Sequence, residues 1–202
     1  MSADNRKFWI LDTVSNPGAV IEQVPAGTPS KWRFFKGKSL ASEFPAGATV
    51  KFSEDFPKQR KLFDFVANTL SLLIVSRKVR DILDAVGVDG CEYMPVGVRD
   101  HKDKLVGPGY FIVHPLGGED GVDMEKSVYD KDPFDEKQIH LIHKLVLKKE
   151  AISPNVRLFR FKTLMRHYVV DQTVAEALQK GGVSGFRLLE TEGWNGSYMN
   201  LE

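Results

Sequence analysis

One stretch of this sequence occurs twice, and the repetition constrains the fold more than any other feature. Leu72 to Val96 and Tyr168 to Thr191 align without a gap at an offset of 95 residues. The identical residues are glycines and aliphatic residues, the types that mark turns and buried faces. They are the pairs Val75/Val170, Val79/Val174, Leu83/Leu178, Gly87/Gly182, Val88/Val183 and Gly90/Gly185. We interpret the two stretches as a duplicated unit, and two copies are too few for a solenoid.

The first copy predicts a strand, a helix and a second strand. The β-branched run from Leu72 to Val75 suits a buried strand. Ser76 is a favourable helix N-cap, typically worth about 0.5–2 kcal/mol. Apolar residues then recur at the spacing of one helix face, and Gly87 is placed to end the helix with positive φ. Cys91 to Val96 is the predicted second strand.

The second copy predicts the same three elements. Tyr168 to Val170 is the first strand, Asp171 the N-cap, Gly182 the helix end, and Phe186 to Thr191 the second strand. The fold class that follows is α+β, with a mixed or antiparallel sheet, two duplicated strand–helix–strand units and N-terminal strands.

The length of 202 residues suits a single domain over residues 1–202. We predict N-terminal strands over 1–60, repeat unit one over 61–96, central strands and an acidic loop over 97–156, repeat unit two over 157–191 and a tail over 192–202. The tail either docks through Trp194 and Tyr198 or frays.

Composition narrows the class of partner and the compartment. The single cysteine allows no internal disulfide, the first seven residues are polar and charged, and no apolar run approaches a membrane span. We therefore expect a reducing cytoplasm and no membrane partner. The net charge of +1 gives no overall field that would attract nucleic acid.

Four short strands are predicted before the first unit: Phe8 to Asp12, Ala19 to Val24, Lys31 to Lys36 and Thr49 to Phe52. The third, KWRFFK, combines basic and aromatic side chains of the kind that stack on bases and contact phosphates. Its flanks add no wider basic field, so we predict a half-buried strand and no nucleic-acid binding.

An acidic segment separates the two units. Residues 117–137 contain eight acidic residues and three lysines, a local charge of −5, and the rest of the chain carries +6. We predict an exposed loop with a short strand near Ser127 to Tyr129. The next segment, Gln138 to Leu147, alternates as a strand and places His140 and His143 on opposite faces, which argues against a shared metal ion.

The sequence contains none of the common catalytic or cofactor motifs. Gly107-Pro108-Gly109 and Gly117-Gly118 lack the spacing of a phosphate-binding loop, so we predict turns. The EF-hand order of ligands is absent around Asp130 and Asp132. Cys91 is a candidate nucleophile, but its repeat partner Phe186 favours a structural, inward-facing position. We predict no enzyme activity, no catalytic residue, no cofactor and no metal.

Taken in order, several segments resemble the immunity protein eleven family, the immunity domains of bacterial polymorphic toxin systems. The resemblance covers about Leu62 to Leu189. It rests on Phe63-Asp64-Phe65, Ile74-Val75-Ser76-Arg77, Gly90 to Val96, Tyr110 to Leu116, Val122 to Ser127, Ile142 to Leu147, Leu158-Phe159-Arg160 and Val183 to Arg187. It implies a small cytoplasmic protein that neutralises a cognate toxin encoded beside it, and it brings no catalytic residues.

A toxin that acts on nucleic acid has a basic groove, and the acidic segment would complement that groove. The hypothetical contact residues are Glu119, Asp120, Asp123, Asp130, Asp132 and Asp135. The alternative is that these carboxylates only keep the loop solvated. Two other functions stay open: a ligand-binding or adaptor domain that delivers an effector to a secretion machine such as type VI secretion, and an enzyme built around Cys91. A homodimer is also possible.

Overall fold

The computed structural model, which describes residues 5–197, contains two β-sheets that share one core with two α-helices. The strands are β1 (Phe8–Thr13), β2 (Val20–Ile21), β3 (Thr49–Lys51), β4 (Phe65–Asn68), β5 (Leu73–Ser76), β6 (Cys91–Arg99), β7 (Leu105–Pro115), β8 (Val128–Lys131), β9 (Ile139–Lys144), β10 (Leu158–Phe161), β11 (Leu164–Asp171) and β12 (Phe186–Glu190). The helices are α1 (Arg77–Ala85) and α2 (Gln172–Lys180), with 3₁₀ helices at Lys31–Lys36, Ala41–Glu43 and Lys149–Ala151.

One sheet has four antiparallel strands in the order β10-β11-β1-β12. The other has six strands in the order β2-β4-β5-β7-β6-β3, in which β2 runs parallel to β4 and β3 parallel to β6. A separate hairpin pairs β8 with β9. The predicted α+β class with mixed and antiparallel sheets is confirmed.

Each repeated stretch forms strand, helix and strand. In unit one, β5 and β6 lie on either side of the antiparallel strand β7. In unit two, β11 and β12 lie on either side of the antiparallel strand β1. The two units therefore share their order of elements and their arrangement in a sheet. Their origin by duplication, and the division of the chain at the boundaries given above, stay predictions.

Both helices begin at the predicted caps. The Ser76 hydroxyl accepts the Val79 N–H at 3.4 Å, and the Asp171 carboxylate accepts the Val174 N–H at 3.0 Å. Gly87, two residues beyond α1, has a φ of 72°, a conformation that glycine adopts without a Cβ penalty. These contacts depend only on neighbouring residues, which is why the sequence predicts them correctly.

Both faces of each large sheet are covered, which explains the nearly continuous apolar runs of their strands. In β5, Leu73 and Val75 point into the core shared with the helices, and Ile74 points into a second cluster beneath the N-terminal segment. In β11, Val170 faces the helices and Val169 faces a third cluster, which the β8–β9 hairpin covers. No helix within residues 5–197 is long and apolar enough to span a membrane.

Two predictions for the N-terminal region are corrected. Lys31–Lys36 is a 3₁₀ helix rather than a strand, and Gly37 ends it with a φ of 59°. Phe34 is fully buried in the second cluster while Trp32 is exposed, so one aromatic anchor decides the local conformation. The strand predicted over Ala19 to Val24 shrinks to β2.

Two predictions for the central region also differ, and the tail follows one of its two predicted alternatives. Gly107-Pro108-Gly109 lies inside β7 rather than in a turn. In β9, residues Ile139 and Ile142 are buried and Leu141 is exposed, because register shifts in the β8–β9 pairing break the alternation predicted for this strand. Trp194 is buried in the third cluster, and the predicted docking of Tyr198 lies outside the described residues.

Candidate partner-binding surface

The six acidic residues predicted to contact a partner lie in two groups. Glu119, Asp120 and Asp123 belong to the segment before β8. Asp130 is an exposed residue of β8, and Asp132 and Asp135 lie in the hairpin loop, which we define as residues 132–138. The acidic segment is therefore partly a hairpin, where the sequence predicts a loop with one short strand.

The first group holds its own segment in place. The Glu119 carboxylate accepts the Ser153 N–H at 2.7 Å and the Ser153 hydroxyl at 3.1 Å. Asp120 pairs with the Lys162 ammonium at 2.5 Å. Asp123 accepts two backbone N–H groups of the turn that follows it. These hydrogen bonds and the ion pair account for the three carboxylates without a partner molecule.

The second group is more exposed and shapes the hairpin. Asp130 accepts a hydrogen bond from His143 across the strand pair at 3.0 Å. Asp132 accepts the N–H groups of Phe134 and Asp135, and Asp135 accepts the N–H two residues further on. The carboxylates thus fix the backbone of the hairpin loop, so the side chains at its tip are presented on a defined frame.

An aromatic residue stands at this tip. Phe134 is 97% exposed, and Val128 and Leu141 on the two strands are 53% and 52% exposed. Exposed apolar side chains rimmed by charge are typical of protein-binding surfaces, and aromatic residues dominate their binding energy. We call the set Val128, Asp130, Asp132, Phe134, Asp135 and Leu141 the hairpin surface.

A cleft of about 660 Å³ lies next to the hairpin loop. Its walls are the 3₁₀ helix Lys31–Lys36, hereafter the 3₁₀ helix, the bend at Gly117–Gly118, the hairpin loop and the start of β11. Its charged and aromatic lining consists of Trp32, Phe35, Lys36, Lys38, Asp132, Asp135, His140, Lys162, Arg166 and His167. Sequence reasoning missed this cleft, because its residues come from segments spread between positions 32 and 167, and KWRFFK was their only local signal.

Cys91 is poorly suited to act as a nucleophile. Burial, and then the charge of Asp89, raises the pKa of its thiol to about 12. A thiol attacks as its thiolate, which is scarce at neutral pH when the pKa is this high. Within residues 5–197, no group of three or more His, Cys, Asp or Glu side chains is placed to hold a metal ion.

The family model described as Immunity protein family (Imm11) matches residues 11–192, which include both units, the cleft and the hairpin surface. No curated protein matches the chain.

Proposed function

The chain belongs to the Imm11 immunity protein family, and from this premise we propose that it binds one cognate bacterial toxin and neutralises it by covering the toxin's active site. The proposed setting is the cytoplasm, and the proposed partner is the product of an adjacent gene. The observation that carries the proposal is the family match over residues 11–192. A toxin-immunity role is the general property of that family.

The hairpin surface supports the mechanism of occlusion. Phe134 offers an exposed aromatic anchor on a loop whose backbone N–H groups donate hydrogen bonds to the Asp132 and Asp135 carboxylates, and Asp130 adds negative charge on the adjoining strand β8. Such a projection complements a groove with basic walls, because opposite potentials speed encounter and fix the register of the two partners. Of the six acidic residues, we propose these three as direct contacts and the other three as supports of the neighbouring segment.

The proposal is tested by producing the chain together with the adjacent gene product in catalytically inactivated form. We expect a 1:1 complex by light scattering, and protection of cells that express the active toxin. Failure of the two proteins to associate would refute the proposal. Cys91→Ala should protect as well as the wild-type chain, whereas complete loss of protection by a folded Cys91→Ala variant would favour an enzyme.

The contribution of the hairpin surface is measured in the same complex. Phe134→Ala should weaken binding by about tenfold or more, as expected for a central aromatic anchor. Leu105→Ala, which removes an exposed apolar side chain outside the hairpin surface, is the matched control.

Substituting lysine for Asp130, Asp132 and Asp135 should slow association and reduce the dependence of the association rate on salt. Asparagine at the same positions separates loss of charge from loss of the turn hydrogen bonds. An unchanged rate in all variants would exclude a steering role.

A further inference from the structure

The cleft beside the hairpin loop carries an excess of positive charge. Lys36, Lys38, Lys162 and Arg166 line it. Lys162 is paired with a carboxylate, but the other three cations have no carboxylate partner among residues 5–197. The two aspartates in the lining, both in the hairpin loop, already accept backbone N–H groups of that loop. These three cationic side chains are therefore available to pair with the anionic groups of a bound molecule.

A buried cation beneath the cleft strengthens this potential. Arg160 is 1% exposed and lies 5.8 Å from the centre of the Phe35 ring, which lines the cleft. His167, another lining residue, responds to this positive charge. Its pKa is lowered to about 4, first by burial of the imidazole and then by the charges of Arg166 and Arg160. An anion in the cleft would thus meet both surface cations and a charge that water screens poorly.

The cleft also has an aromatic wall on a fixed frame. Trp32 is 54% exposed and stands edge-on to Phe35 with 6.0 Å between ring centres. The buried Phe34 anchors the 3₁₀ helix Lys31–Lys36, and the carbonyl of Gly37, which follows this helix, accepts the N–H of the lining residue Gly117 at 2.7 Å. A Cβ on Gly37 would lie 2.2 Å from the Gly117 carbonyl oxygen, so the two segments are held in close contact.

From these observations we propose that the cleft receives an acidic segment of the cognate toxin, whose carboxylates pair with Lys36, Lys38 and Arg166 while an apolar side chain packs on Trp32. The inference rests on the proposed function, and it adds the place and chemistry of a second contact beside the hairpin surface. A protein segment fits better than a nucleic acid, because Asp132 and Asp135 line the same cleft and would repel a continuous phosphate backbone, whereas a peptide can place its carboxylates beside the cations and neutral residues beside the aspartates.

The test uses the full chain and the inactivated product of the adjacent gene. Carbodiimide joins lysine amines to carboxylates without a spacer, so cross-linking the complex should connect Lys36 or Lys38 to acidic residues of the toxin. Lys36→Glu with Lys38→Glu should weaken binding by about tenfold or more, and Trp32→Ala by a similar factor. Reversing the charge of the cross-linked toxin residues should restore binding to the lysine double variant.

Lys102→Glu with Lys104→Glu is the matched control, since both lysines are exposed and neither lines the cleft. A complex that forms with unchanged affinity in Lys36→Glu, Lys38→Glu would overturn the inference and leave the proposed function standing. No complex with the wild-type chain would remove both. Displacement of the toxin by a single-stranded oligonucleotide, with loss of that effect in the lysine double variant, would overturn the inference and identify a nucleic-acid site.

Discussion

At the scale of single residues, Arg160 is a buried cation with no carboxylate partner within residues 5–197. Its guanidinium donates to the Phe34 carbonyl at 2.5 Å and to the Tyr168 hydroxyl. Its central carbon also lies 4.3 Å from the centre of the Tyr168 ring, and a desolvated cation–π contact of this kind is worth about 2 kcal/mol. Arg160 thus connects the 3₁₀ helix to β11 through a carbonyl, a hydroxyl and a ring.

Arg160→Ala should lower the free energy of unfolding by about 2–4 kcal/mol, because the Phe34 carbonyl loses its donor and a cavity replaces a large side chain. Arg33→Ala is the control: it breaks an exposed ion pair with Glu43, and such pairs contribute up to about 1 kcal/mol. Urea denaturation followed by circular dichroism measures both. A loss in Arg160→Ala no larger than in Arg33→Ala would contradict this account.

The two histidines with lowered pKa values, His114 and His167, predict how stability depends on pH. Burial is the first cause in both, and the pKa of His167 falls from 6.5 to about 4. Above pH 6.5 both states of the chain keep this imidazole neutral. Below it the unfolded chain binds a proton that the folded chain does not, so stability falls as the pH drops towards about 4.

His167→Gln should therefore flatten the decline in unfolding free energy between pH 6.5 and about 4. His140→Gln changes an exposed histidine of the same cleft and should leave the decline as in the wild-type chain. Melting temperatures across this pH range provide the measurement. Equal slopes in the wild-type chain and His167→Gln would show that another group causes the acid sensitivity.

At the scale of elements, the parts of the fold that the sequence predicts well are those with local causes. The helices of both units follow from caps, apolar spacing and terminal glycines, all within about ten residues of one another. The strand predicted for KWRFFK was wrong, because the conformation of this segment depends on Phe34 packing into a cluster that distant strands build. The alternation of buried and exposed residues predicted for β9 was also wrong, because the register shifts that break it arise from pairing with β8.

The candidate site likewise has a part that the sequence predicts, the acidic residues, and a part that it does not, the cleft. The three hairpin aspartates were predicted as contact residues from charge alone, and the structure places Asp132 and Asp135 in the loop that carries the exposed Phe134 and Asp130 on the adjoining strand β8. The cleft was not predicted, because Trp32 and Arg166 come together only when the 3₁₀ helix and β11 meet. Charge density is visible in a sequence, whereas a concave surface between distant segments is a property of the packed chain.

The caps also make a prediction at this scale. Burial raises the pKa of Asp171 by more than the hydrogen bonds from Val174 and other groups lower it, so the negative charge itself adds little to the cap. Asp171→Ala should cost about 0.5–2 kcal/mol of unfolding free energy, the usual range for a lost N-cap. Asp171→Asn keeps an acceptor and should cost much less. Equal losses in the two variants would mean that the charge, not the hydrogen bond, stabilises α2.

At the scale of the whole molecule, the two units are joined by a polar junction as well as by the shared core. One Asp64 oxygen accepts the Ser76 hydroxyl at 2.8 Å, and the other accepts the hydroxyl and N–H of Ser184 at 2.8 and 2.9 Å. Ser76 caps the helix of unit one, and Ser184 follows the helix of unit two. A Cβ on Gly185 would lie 2.5 Å from the Phe65 carbonyl oxygen, so the backbones are also in close contact.

Asp64→Asn tests whether this junction makes the two units unfold together. An amide cannot accept all three hydrogen bonds, so one donor stays unsatisfied and the unfolding free energy should fall by about 1–3 kcal/mol. Asp89→Asn is the matched control, since Asp89 occupies the position of Ser184 in unit one and is exposed.

Because both units also share one apolar core, we expect a single transition at a lower denaturant concentration, with coincident tryptophan fluorescence and circular dichroism. Two separate transitions in Asp64→Asn would instead show that the carboxylate, rather than the core, couples the units. An unchanged midpoint would show that the junction contributes nothing to stability.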